Sequence, residues 1–357
     1  MRKVLLRFVF DNLWQWQSVG NELHVGAAWF MLLWVIIVGV AFGVMYAQSK
    51  KIADSAMSAG FWLIVPAALA AAWFLKLPIV RSGIPVFGYG LMMFVGFSSA
   101  TWLASRRVLK IGQPPEAIWD MMMWALVPGL IGARIIYLMQ NWNQVFAGKQ
   151  GSDLLLAPFA LWDGGIVFYG SVIGGIVGVV IYCRRRCINA LAMFDVIAPS
   201  MFIGEGFGRI GCFLYGCCYG KACDFPWALK FPPDSLTFEK LALEGRIIAD
   251  PLSTIPLHPT QLYSSFAAFT LAGILAWFFR RRPYDGAVLA LGWILYPGNR
   301  FVLEALRDDE PKRWGTSFTF SQLVSIGLLI SGIVAMYYFS RRRILTKATN
   351  VALREKQ

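Results

Sequence analysis

Long apolar segments dominate this sequence and restrict the folds open to it. Their apolar residues do not alternate with a period of two, and many segments approach the length that crosses a hydrocarbon core about 30 Å thick. Only 15% of the 357 residues are charged, which is too few for an ordinary soluble domain. We therefore expect an all-α integral membrane protein with about nine transmembrane helices, near residues 27–47, 61–80, 85–105, 119–139, 162–182, 193–214, 260–279, 286–306 and 318–339.

The basic residues predict how these segments are oriented. The net charge of +13 is concentrated in short clusters beside apolar segments, a pattern typical of topology signals rather than of a nucleic-acid surface. The clusters fall on alternate loops, so that one side of the membrane and the C-terminus are predicted to be cytoplasmic. Residues 1–17 read as an amphipathic interfacial stretch, and their basic residues conflict with an external N-terminus. Either the rule is broken there or one of the first two segments does not span.

The pattern of segments predicts three regions. Residues 1–83 form an N-terminal extension with two apolar segments, residues 84–343 a core of seven spans, and residues 344–357 a cytoplasmic tail. Within the core, the long connection 215–259 contains six prolines and helical periodicity only over 236–248. We expect it to be a small ordered arm outside the membrane, because loops of this length are often functional.

Three arginines lie inside otherwise apolar stretches, at positions 134, 209 and 300. A guanidinium stays charged at any biological pH, and at membrane depth it costs at least about 2.5 kcal/mol on insertion scales. Such residues usually face a cavity or an anionic partner, and phosphate suits their planar set of donors. The three arginines therefore predict a buried site for an anion, although Arg134 has the weaker local motif and serves equally well to complete an internal ion pair.

Two glycine-rich motifs precede the arm. The first leads from Trp162 to Tyr169 and on into a span, where its glycines permit either close helix packing or an unwound cavity wall. The second runs from Gly204 to Gly220 and contains Glu205 and Arg209, which lie on one face if the segment is helical. That pair is either a self-satisfied buried ion pair or an arginine aimed at a phosphate.

Two further motifs follow the arm. His258 precedes a proline that suits the first turn of a helix, and as one of two histidines in the chain it is a candidate proton acceptor. Arg300, Glu304 and Arg307 share one helical face. They form either a structural clamp or a device in which Glu304 holds an arginine toward an anion.

Four of the six cysteines cluster at the start of the arm, at positions 212, 217, 218 and 223. Their spacing is unlike the usual zinc motifs, so disulfides with unknown pairing are the preferred interpretation, and zinc is the alternative. No nucleotide fingerprint is present, and we expect no metal or other cofactor.

Taken in order, these motifs resemble the prolipoprotein diacylglyceryl transferase family of bacterial inner membranes, from about Ile84 to Arg343. The segment Phe87-Gly88-Tyr89-Gly90-Leu91-Met92 looks like the start of that family's first span. The resemblance implies transfer of a diacylglyceryl group from phosphatidylglycerol to the lipobox cysteine of a preprolipoprotein, with release of glycerol phosphate. It implies a multi-pass protein of the bacterial cytoplasmic membrane, with phosphatidylglycerol and preprolipoprotein signal peptides as partners and no nucleic acid.

The resemblance also assigns roles to residues. It implies catalytic roles for Arg209, Arg300 and Tyr89, and phosphatidylglycerol binding by Arg209, Arg300, Arg134 and Gly220. Tyr169 is a further catalytic candidate because it stands where many members carry a histidine. Glu304 and Arg307 have family counterparts and are supporting candidates, as are Glu205 and His258 from their own motifs.

Three departures from the family pattern bear on activity. Tyr169 replaces a histidine found in many members, Cys212 replaces the signature asparagine, and Cys217 replaces a glutamate. These changes leave two alternatives open beside the transferase: a catalytically weak lipid-binding relative, and an anion transporter.

Overall fold

The computed structural model describes residues 4–9, 14, 16–19, 22–26, seven positions between 28 and 39, 84–146, 158, 165, 167–233, 235–246, 253–307 and 318–342. The predicted span 61–80, most of the span 27–47, and the predicted tail 344–357 lie outside these residues. The chain divides into two compact units. The first contains Met1–Phe94 and Gly208–Gln261, and the second contains Val95–Phe207 and Leu262–Gln357.

Helices account for most of the described chain, as the sequence predicts. Seven long helices coincide with the seven predicted core spans, and four of them are long and apolar enough to cross a membrane: Glu116–Gln140, Ala190–Tyr215, Thr260–Phe279 and Phe320–Arg341. The described helices are α1 Gly88–Val108, α2 Glu116–Gln140, α3 Trp142–Phe146, α4 Phe168–Arg185, α5 Ala190–Tyr215, α6 Leu236–Leu243, α7 Thr260–Phe279, α8 Ala287–Ala305 and α9 Phe320–Arg342.

Glycine, proline and charged residues interrupt the apolar character of the predicted spans 193–214 and 286–306, so the sequence favours broken helices that line a cavity there. The structure has continuous helices instead. Helix α5 runs unbroken through Pro199 and the glycines of its motif, and α8 runs through Pro297. The glycines instead permit close packing: a Cβ at Gly206 would overlap the ring of Phe269, and Ser265 donates a hydrogen bond to the Gly206 carbonyl at 2.9 Å. The expectation that broken spans form a cavity wall is therefore wrong for these two segments.

The N-terminal region contains a sheet that the sequence did not lead us to expect. Its strands are β1 Val4–Val9, β2 Trp16–Val19, β3 Glu22–Gly26 and β4 Ile84–Phe87, in the order β2-β3-β1-β4. Strands β2 and β3 pair antiparallel, β1 and β3 parallel, and β1 and β4 antiparallel. Arg7 donates to both carboxylate oxygens of Glu22, at 2.8 and 3.4 Å, across β1 and β3. The predicted interfacial stretch 1–17 thus contains strand β1 and the first two residues of β2, and the third predicted span begins as strand β4.

Within the second unit, α2 and α4 pack backbone to backbone. A Cβ added at Gly170, Gly174 or Gly178 of α4 would collide with backbone atoms of α2, including the carbonyls of Gly132, Pro128 and Trp124 respectively. Small residues spaced by four are the usual means by which membrane helices approach this closely. Of the two roles considered for the glycines after Tyr169, the packing role is the one seen here.

Each unit has its own apolar core. In the second unit it is built from side chains such as Val108, Ile118, Met193 and Leu275. In the first unit the arm buries Tyr219, Phe231, Leu241 and Leu257 together. Ser235 caps α6 by accepting a hydrogen bond from the Phe238 amide at 3.2 Å, so the helical periodicity predicted over 236–248 is confirmed in part.

Replacing Gly174 by alanine is expected to destabilise the protein by about 1–3 kcal/mol, because the new Cβ overlaps the backbone of Pro128. The neighbouring Gly175→Ala is the matched control, since a Cβ there meets only one carbonyl oxygen at 3.8 Å, an ordinary contact. Denaturant unfolding of the purified full chain in detergent measures both variants. Equal stability of the two variants would contradict the close packing.

Candidate functional site

The first unit brings Tyr89 of α1 beside the last turns of α5. A Cβ at Gly211 would lie 3.0 Å from the Tyr89 ring, so glycine is needed for this approach. The Tyr89 and Tyr215 rings are 6.3 Å apart between centroids. Tyr89 therefore packs on α5 two residues beyond Arg209, the other catalytic candidate of this unit, while the roles of both stay predictions.

The chain reverses direction directly after α5. The amide of Gly216 donates to Phe213 and that of Cys217 to Cys212, at 3.2 and 3.1 Å, with Gly216 at φ +75°. This is the Schellman arrangement that ends many helices, and it requires a residue tolerant of positive φ at its turn. Cys218 also has positive φ, at 62°, which tightens the reversal. The turn folds Cys217 and Cys218 back over Cys212.

Residues at the far end of the arm hold this turn in place. Thr260 donates through its hydroxyl to the Cys218 carbonyl at 2.9 Å, and Gln261 through its amide to the Cys217 carbonyl at 2.6 Å. Both side chains are buried. Their contact with the cysteine turn is a structural role that the local sequence does not reveal.

Gly220 and His258 lie on adjoining backbone segments of the arm. The Gly220 amide donates to the His258 carbonyl, and the His258 amide to the Lys221 carbonyl, each at 3.0 Å. The His258 ring packs against Phe225, with centroids 5.6 Å apart. The arm therefore fixes the backbone of His258, and its predicted supporting role stays a prediction.

The second unit contains the arginine and glutamate ladder expected on α8. Glu304 is buried and lies 2.8 Å from a terminal nitrogen of Arg300 and 3.9 Å from Nε of Arg307. Ser321 and Thr319, at the start of α9, complete the group: Arg300 donates to Ser321, and Thr319 donates to Glu304, both at 3.3 Å. Breaking a buried pair leaves an uncompensated charge, so this group fixes the Arg300 guanidinium firmly.

Arg134 also lies in the second unit, buried on α2. Its Nε donates to the carbonyl of Pro158 at 2.7 Å, and a terminal nitrogen donates to the carbonyl of Gly165 at 3.1 Å. The guanidinium carbon lies 5.2 Å from the centroid of the Tyr137 ring. These contacts tie the chain before α4 to α2, so Arg134 has a structural role beside the lipid contact predicted for it.

Tyr169 and Glu205 occupy contrasting positions in the second unit. Tyr169 is exposed in the first turn of α4. Glu205 is half-buried on α5, and the unbroken helix confirms the helical spacing that the sequence analysis assumed for its motif. The structure leaves the predicted roles of both residues untested.

A buried polar group that the sequence analysis did not single out lies at the start of α8. Asp195 of α5 accepts from the amides of Gly286 and Leu289, at 2.8 and 2.9 Å, and so caps α8 from a neighbouring helix. Arg282 pairs with Asp195 and Asp285 at 3.7 and 3.3 Å. The signal available in the sequence was an acid inside an apolar span, which is rare unless the acid is paired.

The sequence model of the family described as prolipoprotein diacylglyceryl transferase matches residues 78–338. The chain belongs to this family. Several relatives are named phosphatidylglycerol–prolipoprotein diacylglyceryl transferase. One from Clostridium tetani is 33% identical over 253 residues, covering 70% of this chain and 92% of the relative. One from Escherichia coli O1:K1 is 32% identical over 279 residues, covering 74% and 94%. The resemblance drawn from the motifs is thereby confirmed.

Replacing Glu304 by glutamine is expected to cost about 3 kcal/mol of stability, because it leaves Arg300 and Arg307 without their buried counter-ion. Glu244→Gln is the control: Glu244 pairs with Arg246 at 3.3 Å on the exposed surface, where such pairs contribute about 0–1 kcal/mol. Denaturant unfolding in detergent measures both. A Glu304→Gln protein as stable as the control would show that the ladder does not hold the two helices.

Proposed function

We propose that this chain transfers a diacylglyceryl group from phosphatidylglycerol to the lipobox cysteine of preprolipoproteins and releases glycerol phosphate. The observation that carries the proposal is the packing of Tyr89 against Gly211 of α5, two residues after Arg209, with both Tyr89 and Arg209 in motifs of the family to which the chain belongs. The names of the relatives support the same donor and the same class of acceptor. No observation on the described residues favours an anion transporter.

Arg209 binds the donor phosphate in this proposal. Carbon–oxygen cleavage leaves a second negative charge on the phosphate, and a fixed guanidinium stabilises that charge more strongly in the transition state than in the ground state. Arg300 is proposed to stabilise phosphate charge in the same way. Its pairing with the buried Glu304 supports this role, because a guanidinium that is already oriented needs no rearrangement during the reaction. Gly220 and Arg134 are proposed to contribute to lipid binding.

The acceptor must react as a thiolate, because the thiol itself is a poor nucleophile. Tyr169 and His258 are the protein groups proposed to receive its proton, and Tyr89 is proposed to position the reacting groups. Glu205, Glu304 and Arg307 act through the arginines that they accompany. All of the substrates are amphiphiles, which is consistent with a protein whose helices are long and apolar enough to span a membrane.

We further propose the bacterial cytoplasmic membrane as the location, with a cytoplasmic C-terminus. The basic ends of the described helices support it: Arg185 stacks over Trp124, Arg281 over Trp277 and Arg341 over Tyr337, at 4.8, 4.5 and 5.0 Å from the ring centroids. Arginine and tryptophan together are typical of helix ends at a membrane interface.

Arg209→Ala is expected to lower transfer by about 100-fold or more, the usual cost of losing one donor to a developing charge. Arg209→Lys should recover only part of the lost transfer activity, because lysine keeps the positive charge but lacks the planar set of donors of a guanidinium. Arg186→Ala is the control, since Arg186 forms an exposed pair with Asp120. The assay follows the mass of a lipobox peptide incubated with the purified full chain and phosphatidylglycerol. Turnover by Arg209→Ala at the control's rate would remove Arg209 from the proposed machinery.

The proposed orientation predicts the labelling of single cysteines. A chain that retains only Cys187, which is exposed after α4, should react with a membrane-impermeant maleimide only after the cells are opened. A cysteine introduced at Leu243 of the arm, 83% exposed, should react in intact spheroplasts. The reverse pattern would invert the proposed topology.

A further inference from the structure

Three thiols converge at the end of α5. The Sγ atoms of Cys212, Cys217 and Cys218 all lie within 4.8 Å of one another, and those of Cys217 and Cys218 are 3.6 Å apart. Each of the three residues is half-buried, so that the cluster is reachable from outside. Cys223, the fourth cysteine of this region, is not part of the cluster.

The backbone holds these thiols together. The Schellman turn folds Cys217 back over the last turn of α5, and the Cys217 thiol donates to the Cys212 carbonyl at 3.7 Å. Gln261 and Thr260 bind the carbonyls of Cys217 and Cys218. These hydrogen bonds already hold the backbone of the turn. Binding of a ligand by the three thiols would therefore cost the protein little further conformational entropy.

The spacing and chemistry of the cluster suit one soft metal ion. Zinc–sulfur bonds of about 2.3 Å place two sulfur ligands about 3.8 Å apart, which side-chain rotations here can reach. Sulfur ligands select zinc and similar soft cations over magnesium or calcium.

We propose that Cys212, Cys217 and Cys218 bind one Zn²⁺ ion and leave its fourth position open to the thiol of the acceptor. Three protein ligands with one open position is the arrangement of catalytic zinc, and a thiol that coordinates zinc is deprotonated outright. The identity of the incoming thiol rests on the proposed function, whereas the metal site does not.

The proposed step balances without any redox change. The acceptor thiol displaces water from zinc and gives its proton to one of the proton acceptors proposed above. The bound sulfur then attacks the carbon that carries the phosphate ester, forming a carbon–sulfur bond, while the carbon–oxygen bond breaks and its electron pair leaves with glycerol phosphate. The thioether product is a weak ligand and is replaced by water. Zinc stays divalent throughout.

Metal binding is tested first on the purified full chain, reduced with a phosphine that does not compete for zinc. We expect one Zn²⁺ per chain, and Co²⁺ in its place should show the intense visible bands of tetrahedral sulfur coordination. Cys217→Ser should weaken binding by at least about 100-fold, since even outer-shell changes cost 10–100-fold. Cys223→Ser should bind as the parent does, and thermal melting checks that both variants are folded. Absence of stoichiometric binding, or equal binding by both variants, overturns the proposal.

The open position is tested separately from catalysis. Adding a lipobox peptide to the Co²⁺-loaded protein should shift the visible spectrum, and the same peptide with serine for cysteine should not. The spectral shift does not depend on turnover, so it can be measured and interpreted even if the proposed transferase activity is absent. An unchanged spectrum with a loaded site overturns the open position. A disulfide within the cluster would lower the intact mass of the unreduced protein by two hydrogens, and Cys223→Ser would show the same loss. That result, together with no zinc bound after reduction, also overturns the proposal.

Discussion

A guanidinium cannot give up its charge, and this constraint organises the second unit. Three arginines described there, one buried and two half-buried, are met by atoms that accept hydrogen bonds or by carboxylates. Arg134 meets main-chain carbonyls of a connecting segment, Arg282 meets two aspartates at the start of α8, and Arg300 meets Glu304. In each case the partner lies on another segment or another turn, so satisfying the charge also fixes the packing of the backbone that provides the partner.

The sequence predicted the helices of the core because a lipid-facing helix must be apolar for its whole length, and that signal is local. It also predicted the ladder on α8, since Arg300, Glu304 and Arg307 lie on one face of any helix drawn through them. The family resemblance named Tyr89 as a site candidate but did not place it. Spacing could not predict its packing on α5 near Arg209, because 120 residues separate the two in the chain.

Features that depend on residues far apart in the chain could not be predicted from the sequence. Strand β1 pairs with β3 and β4, and nothing within Val4–Val9 reveals partners that lie up to 83 residues further along the chain. Glycine and proline suggested interrupted spans in α5 and α8, yet packing against neighbouring helices keeps both continuous. The three thiols likewise depend on a helix-ending turn whose positive φ at Cys218 has no simple sequence signal.

The pairing of β1 with β4 has a consequence for how the protein is made. About 75 residues separate Val9 from Ile84, and at roughly 5–20 residues per second the ribosome needs several seconds to supply the partner strand. Through that interval β1 is synthesised but its edge toward β4 is open, and an open strand edge readily pairs with the wrong chain. The N-terminal extension therefore cannot complete its sheet before the family core begins to emerge, and the two regions must mature together.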